Sequence, residues 1–104
     1  MLGAAYTASK HGLIGLTKNT AAFYGDKGIR CNLIMPGSMQ TNISEALAAG
    51  MHQGGYQVLT TTMAMQPPMC PLTEMADLAV FLCSDGAAVL NGACMAADKG
   101  WASY

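Results

Sequence analysis

Hydrophobic positions recur at near-helical spacing from about Tyr6 to Tyr24, with Leu13, Leu16 and Ala21 on one side and no proline in the run. The pattern predicts a helix. A second stripe, Ala8, Gly12, Gly15 and Ala22, stays small at helical intervals. Each glycine inside a helix costs about 1 kcal/mol relative to alanine, so the stripe predicts close approach of another backbone. Gly25-Asp26-Lys27-Gly28 stops the helix, with Gly25 or Gly28 suited to a left-handed cap. The stretch IRCNLIMPG follows, a short and nearly continuous apolar run closed by Pro36-Gly37. Such a run predicts a strand buried on both faces of a parallel sheet.

Residues 38–72 break the regularity. Ser44 to Ala49 read as a short helix, and Gly50, Gly54, Gly55, Pro67, Pro68 and Pro71 punctuate the rest. Met39, Met51, Met63, Met65 and Met69 are spread through it. They suit a tolerant apolar pocket, irregular core filling, or a partly mobile segment. Thr73 then reads as an N-cap, with Glu74 and Asp77 in the first turn of a helix whose apolar face is Met75, Leu78, Ala79, Phe81 and Leu82. That helix ends near Ser84-Asp85-Gly86. After a turn at Asn91-Gly92, ACMAAD reads as a last short strand. The expected architecture is α/β, with about three helices and two strands. Two parallel strands do not make a self-sufficient sheet, so an open, apolar edge and self-association are expected.

Composition sharpens that expectation. The 104 residues are 52% hydrophobic and only 11% charged. A free-standing small domain carries about twice that charge, so much of the surface is expected to be covered by further chain or by partner subunits. The net charge of −1, with Lys10, Lys18, Lys27, Arg30 and Lys99 dispersed, provides no footprint for nucleic acid or an anionic membrane. No basic segment followed by an apolar run marks a secretory signal, and no run is long enough to span a bilayer. Cys31, Cys70, Cys83 and Cys94 show no CxxC spacing, and with His11 and His52 form no HxxxH pattern. They are expected as buried free thiols in a reducing, cytoplasmic compartment, with no metal.

The chemistry rests on YTASKHG. Residues four apart on a helix share a face, so Tyr6 and Lys10 are expected to project side by side. A phenol ordinarily keeps its proton far above neutral pH, and a neighbouring ammonium favours the phenolate by Coulomb attraction. Such a pair suits proton transfer to or from an alcohol or carbonyl oxygen. On spacing alone it equally suits a solvated helix face. Pro36-Gly37 alone reads as a turn and Thr41 as a polar loop residue. His11 reads as a surface or packing residue, and Trp101 as a packing or subunit contact.

The surroundings carry more. YTASKHGLIGLTKNTAAFYGDKGIRCNLIMPGSMQTNI resembles the short-chain dehydrogenase/reductase family in its YxxxK pair, its GIRCN and PG, and the threonine four residues after that glycine. The ending TEMADLAVFLCSDGAAVLNGACMAADKGW is similar to that family's, with Asp98-Lys99-Gly100-Trp101 where two glycines are usual. The resemblance implies the C-terminal portion of a Rossmann-like, doubly wound parallel sheet over residues 1–104, with 38–72 as the substrate flap. It implies Tyr6 as the acid/base and Lys10 as the residue that eases its proton loss and holds the ribose hydroxyls of NAD or NADP. Pro36, Gly37, Met39 and Thr41 would border the nicotinamide and its phosphates, outside the carboxyl end of a strand.

The resemblance also implies what is not here: the glycine-rich phosphate loop, the active-site serine and the asparagine that helps hold the lysine all belong upstream. The N-terminal cofactor-binding half is therefore expected to be absent. Two expectations follow. One is an NAD(P)-dependent oxidoreductase acting on a small apolar secondary alcohol or ketone, such as a 3-oxoacyl thioester or a cyclic or aromatic alcohol, and inactive as this piece alone. The other is a non-catalytic association module or truncated product, working as a homo-oligomer or with a missing N-terminal half.

Overall fold

The computed structural model describes residues 3–42 and 63–103. Helix α1 spans Ala4–Tyr24, starting two residues earlier than the apolar pattern suggests because Gly3 provides the extended N-cap. A 3₁₀ turn over Gly25–Lys27 continues it, and Gly28, at φ 75°, closes the end with its N–H on the Gly25 carbonyl. Of the two glycines suited to the cap, Gly28 takes it, since only a residue without Cβ adopts this conformation without strain.

Strand β1 is Leu33–Pro36, α2 is Leu72–Leu82 and β2 is Cys94–Ala97. The strands pair in parallel with Leu33 opposite Cys94 and Pro36 opposite Ala97. Strand, helix and parallel strand form one βαβ unit, as the α/β reading requires. The short helix expected over 44–49, and most of the 38–72 flap, lie outside the described residues.

Both strands are shorter than their apolar runs. Residues 30–32, just before β1, are held largely by side-chain bonding, with the Cys31 carbonyl accepting from the Gly92 N–H at 2.8 Å. Arg30 sends its guanidinium to the carbonyls of Leu82, Ser84, Ala87 and Leu90, at 2.9, 3.2, 2.9 and 3.2 Å. Helix α2 has no basic residue in its last turn, so this distant cation meets its negative end and the turn beyond. Asn32 donates to the Leu90 carbonyl at 2.9 Å and accepts from the Ala93 N–H at 3.0 Å. Asn91 accepts from the Cys31 N–H at 3.0 Å and donates to the Ala21 carbonyl at 3.2 Å, tying α1 to the same end.

Four further expectations need correction. Thr73 lies inside α2, whose N-cap is Pro71, with extended backbone and no side-chain cap; proline's fixed φ and missing N–H suit that boundary. Only Cys70 of the four free cysteines is buried, whereas Cys83 is exposed and Cys31 and Cys94 are half-buried, because the apolar runs holding them are not covered. Likewise β1 is not buried on both faces: Met35 and Pro36 are exposed. A methyl group at Gly12 or Gly15 would meet nothing within 4 Å, so these two positions of the small stripe face no backbone among the described residues. The buried apolar core is Ala21, Cys70, Leu82 and Ala87, while Leu16, Phe23, Val80 and Val89 are 62%, 69%, 70% and 91% exposed.

Candidate active site at the carboxyl ends of the strands

Helix α1 runs antiparallel to β1. Its C-terminal part meets the amino end of the strands, where a Cβ at Gly92 would lie 3.3 Å from the Ala21 Cβ. Nearer its N-terminus, Lys10, His11, Leu13 and Ile14 wall a hollow of about 270 Å³ with Leu33, Ile34 and Met35 of β1. Tyr6 lies one turn before Lys10 on the same helix.

The Lys10 Nζ lies 5.5 Å from the centroid of the Tyr6 ring. The pair shares a face, as the four-residue spacing predicts, within cation–π range. Tyr6 is half-buried and Lys10 exposed, so the phenol is partly screened from water while the ammonium stays reachable. Neighbouring side chains bond back onto the helix: the Ser9 hydroxyl donates to the Tyr6 carbonyl at 2.7 Å, and the His11 Nδ1 lies 2.9 Å from the Thr7 carbonyl oxygen. His11 is a surface residue at the rim of the hollow.

Pro36 and Gly37 end β1. The Gly37 N–H donates to the Ala97 carbonyl at 3.1 Å, extending the ladder by one residue. Met39 and Thr41 follow in the chain leaving the strand, both half-buried. Three residues that the sequence reading left out of the site surround this turn. The Cys70 N–H donates to the Ser38 carbonyl at 2.8 Å, and its thiol reaches the Ala97 carbonyl at 3.6 Å. Asp98 accepts from the N–H groups of Gly100 and Ala102 at 3.0 and 2.9 Å. Lys99, at φ 55°, holds its Nζ 3.5 Å from the Met69 carbonyl oxygen. The sequence signal for Asp98 was its place before two residues of a tight turn; Cys70 offered none.

The described residues hold a phenol and an ammonium together on α1 and a glycine turn at the carboxyl end of β1, the end at which ligands of open α/β folds sit. Among the described residues no group of three or more His, Cys, Asp or Glu side chains could hold a metal ion, and no helix is long and apolar enough to cross a membrane.

A family model described as enoyl-(acyl carrier protein) reductase matches residues 2–102. The short chain dehydrogenase/reductase dpchG of Colletotrichum higginsianum is 46% identical over 106 residues, covering 99% of this chain and 40% of that protein. The 3beta-hydroxysteroid dehydrogenase 2 of Eggerthella lenta is 42% identical over 102 residues, covering 98% and 39%. Among solved structures, a short chain dehydrogenase from Mycobacterium paratuberculosis bound to NAD superposes with a TM-score of 0.82 at 28% identity, covering 97% of this chain and 39% of that one. A 4-hydroxyisoleucine dehydrogenase complexed with NADH gives 0.76 at 31% identity, covering 97% and 40%. The chain spans about two fifths of the length of the curated relatives it matches.

Proposed function

The chain belongs to the short-chain dehydrogenase/reductase family, and we propose from this that it is the C-terminal, substrate-side part of a Rossmann-like, NAD- or NADP-dependent oxidoreductase. The reaction would interconvert a small apolar secondary alcohol and its ketone. The observation that carries this reading is the Lys10 ammonium held 5.5 Å from the Tyr6 ring centroid.

Tyr6 is the acid/base. In reduction it donates its proton to the carbonyl oxygen, and in oxidation it takes the alcohol proton. Lys10 stabilises the charge left on the phenol oxygen, and its three N–H donors also fit a pair of ribose hydroxyls. Pro36 and Gly37 end the strand, and with Met39 and Thr41 they would border the nicotinamide. These residues fit a nicotinamide cofactor by their donor set: an exposed ammonium, a half-buried phenol and a backbone turn without side chain. When bound, that group supplies or accepts the hydride. The glycine-rich cradle for its phosphates is not among the described residues, so the 104-residue chain alone is expected to be inactive. A cytoplasmic setting belongs to the same proposal, with four free thiols among the described residues as its support.

The test joins this chain to the amino-terminal three fifths of the Colletotrichum relative and follows oxidation of NADH and NADPH with a panel of ketones. Turnover in the joined protein, its loss in Tyr6→Phe, and none in the 104-residue chain alone are expected. Full activity in Tyr6→Phe would sink the assignment.

A second reading is association through α1 and the C-terminal segment, favoured by the exposure of Leu16, Phe23, Val80 and Val89. Sedimentation of the 104-residue chain decides it: a strictly monomeric species would exclude it.

A further inference from the structure

Beyond Pro36 and Ala97 the two strand ends crowd together. A Cβ on Gly37 would lie 2.9 Å from the Asp98 Cα, 3.2 Å from its Cβ and 3.3 Å from the Cys70 Sγ. The nearest of these is backbone, which no rotamer change moves aside. The glycine at this position is therefore demanded by the chain end of β2. Asp98 in turn begins a reversal through two consecutive left-handed residues, Lys99 at φ 55° and Gly100 at φ 82°. Lysine rarely adopts that conformation. The turn is closed by the Asp98 carboxylate, whose two oxygens take the Gly100 and Ala102 N–H groups, and by the Trp101 N–H on the Asp98 carbonyl at 3.2 Å.

We propose that Asp98 is a positioning residue for the Gly37 turn: its carboxylate clamps the C-terminal reversal, and the clamped backbone fixes the place of Gly37. Cys70 reports on the contact from the third side. It is 4% exposed, its thiol wedged against Gly37 and its N–H on Ser38. The functional half of this inference rests on the proposed role of the Gly37–Thr41 segment in binding a nicotinamide cofactor. In that role Asp98 touches neither cofactor nor substrate and acts through Gly37.

The 104-residue chain itself provides the first test. Under native conditions a small alkylating reagent, followed site by site by mass spectrometry, labels Cys83 first and Cys70 last. Loss of one charge-assisted hydrogen bond in Asp98→Asn raises local opening, and hence Cys70 labelling, about tenfold. Cys31, at the far end of β1, keeps its rate. Gly37→Ala produces the same selective exposure from the opposite side, so the test survives if one variant fails to fold. Unchanged Cys70 labelling in a folded variant, or Cys70 and Cys31 rising together, would overturn the buttress. In the joined enzyme, Asp98→Asn raises the KM for NADH about tenfold with kcat kept; selective labelling with no change in KM would remove the functional half. An inactive joined enzyme counts against the oxidoreductase reading alone, and labelling still decides the buttress.

Discussion

The two ends of the β1–β2 pair are built on opposite plans. At the amino end, Arg30, Asn32 and Asn91 direct their polar atoms to backbone groups of α1, of α2 and of the turn before β2. At the carboxyl end the backbone turns are tight, and the proposed site beside them rests on the Lys10 ammonium with the Tyr6 ring as its neighbour. The first end satisfies the polar groups that a folded chain buries. The second leaves polar groups available to a ligand. Substitutions at the two ends should therefore separate into losses of stability and losses of function.

The largest effect is expected at the carboxyl end. Tyr6→Phe removes the proton that the reaction needs while leaving the ring and its contact with Lys10. Removing a positioned acid/base lowers rates by a factor of about 10³, read as kcat of the joined enzyme. Its unfolding midpoint should stay in place. A fall in stability matching the fall in rate would blur the contrast and argue that Tyr6 is structural.

The amino end gives the next largest effect, in the opposite currency. Arg30→Met keeps the apolar stem and removes one donor shared by four carbonyls, of which Ser84, Ala87 and Leu90 keep a second. Loss of the charge-assisted bonds puts the cost at about 3 kcal/mol in urea unfolding. Arg30→Lys should recover only part of this, since an ammonium cannot present the planar fork that reaches Leu82, Ser84, Ala87 and Leu90 together. Cofactor binding by the joined enzyme should be unaltered. Gly37→Ala sits between the two classes: a methyl forced against the Asp98 backbone costs about 2 kcal/mol, and the same displacement weakens cofactor binding. A purely additive, stability-only effect would separate Gly37 from the site.

How much of this could be read beforehand follows the same division. The pairing of Tyr6 with Lys10 was legible because helical spacing alone puts the two side chains together. The parallel pair was legible because a helix between two short apolar runs leaves few alternatives. Arg30 was not, because its partners lie 52 to 60 residues further along the chain, and a single arginine before a strand has no local signature. The small stripe of α1 predicts close approach of a backbone, and none lies against Gly12 or Gly15 among the described residues, because small size alone does not say what packs on it. Pro71 took the cap expected of Thr73 because the fixed backbone of a proline starts a helix without any side-chain bond.

The smallest effect tests the tail that buttresses the site. Lys99 is the one non-glycine residue with positive φ among the described residues, and a lysine there carries roughly 1 to 2 kcal/mol of strain. Glycine removes the strain but adds freedom to the unfolded chain, which offsets part of the gain. The contact from the Lys99 Nζ to the Met69 carbonyl is exposed and 3.5 Å long, so its loss weighs little. Lys99→Gly should therefore stabilise the chain by about 0.5 kcal/mol, with Lys99→Asn between glycine and wild type because its short polar side chain tolerates the left-handed region. If Lys99→Gly instead destabilises, the lysine is holding Met69, the residue next to Cys70, in place. The buttress of the Gly37 turn would then extend one residue further along the tail than the Asp98 carboxylate.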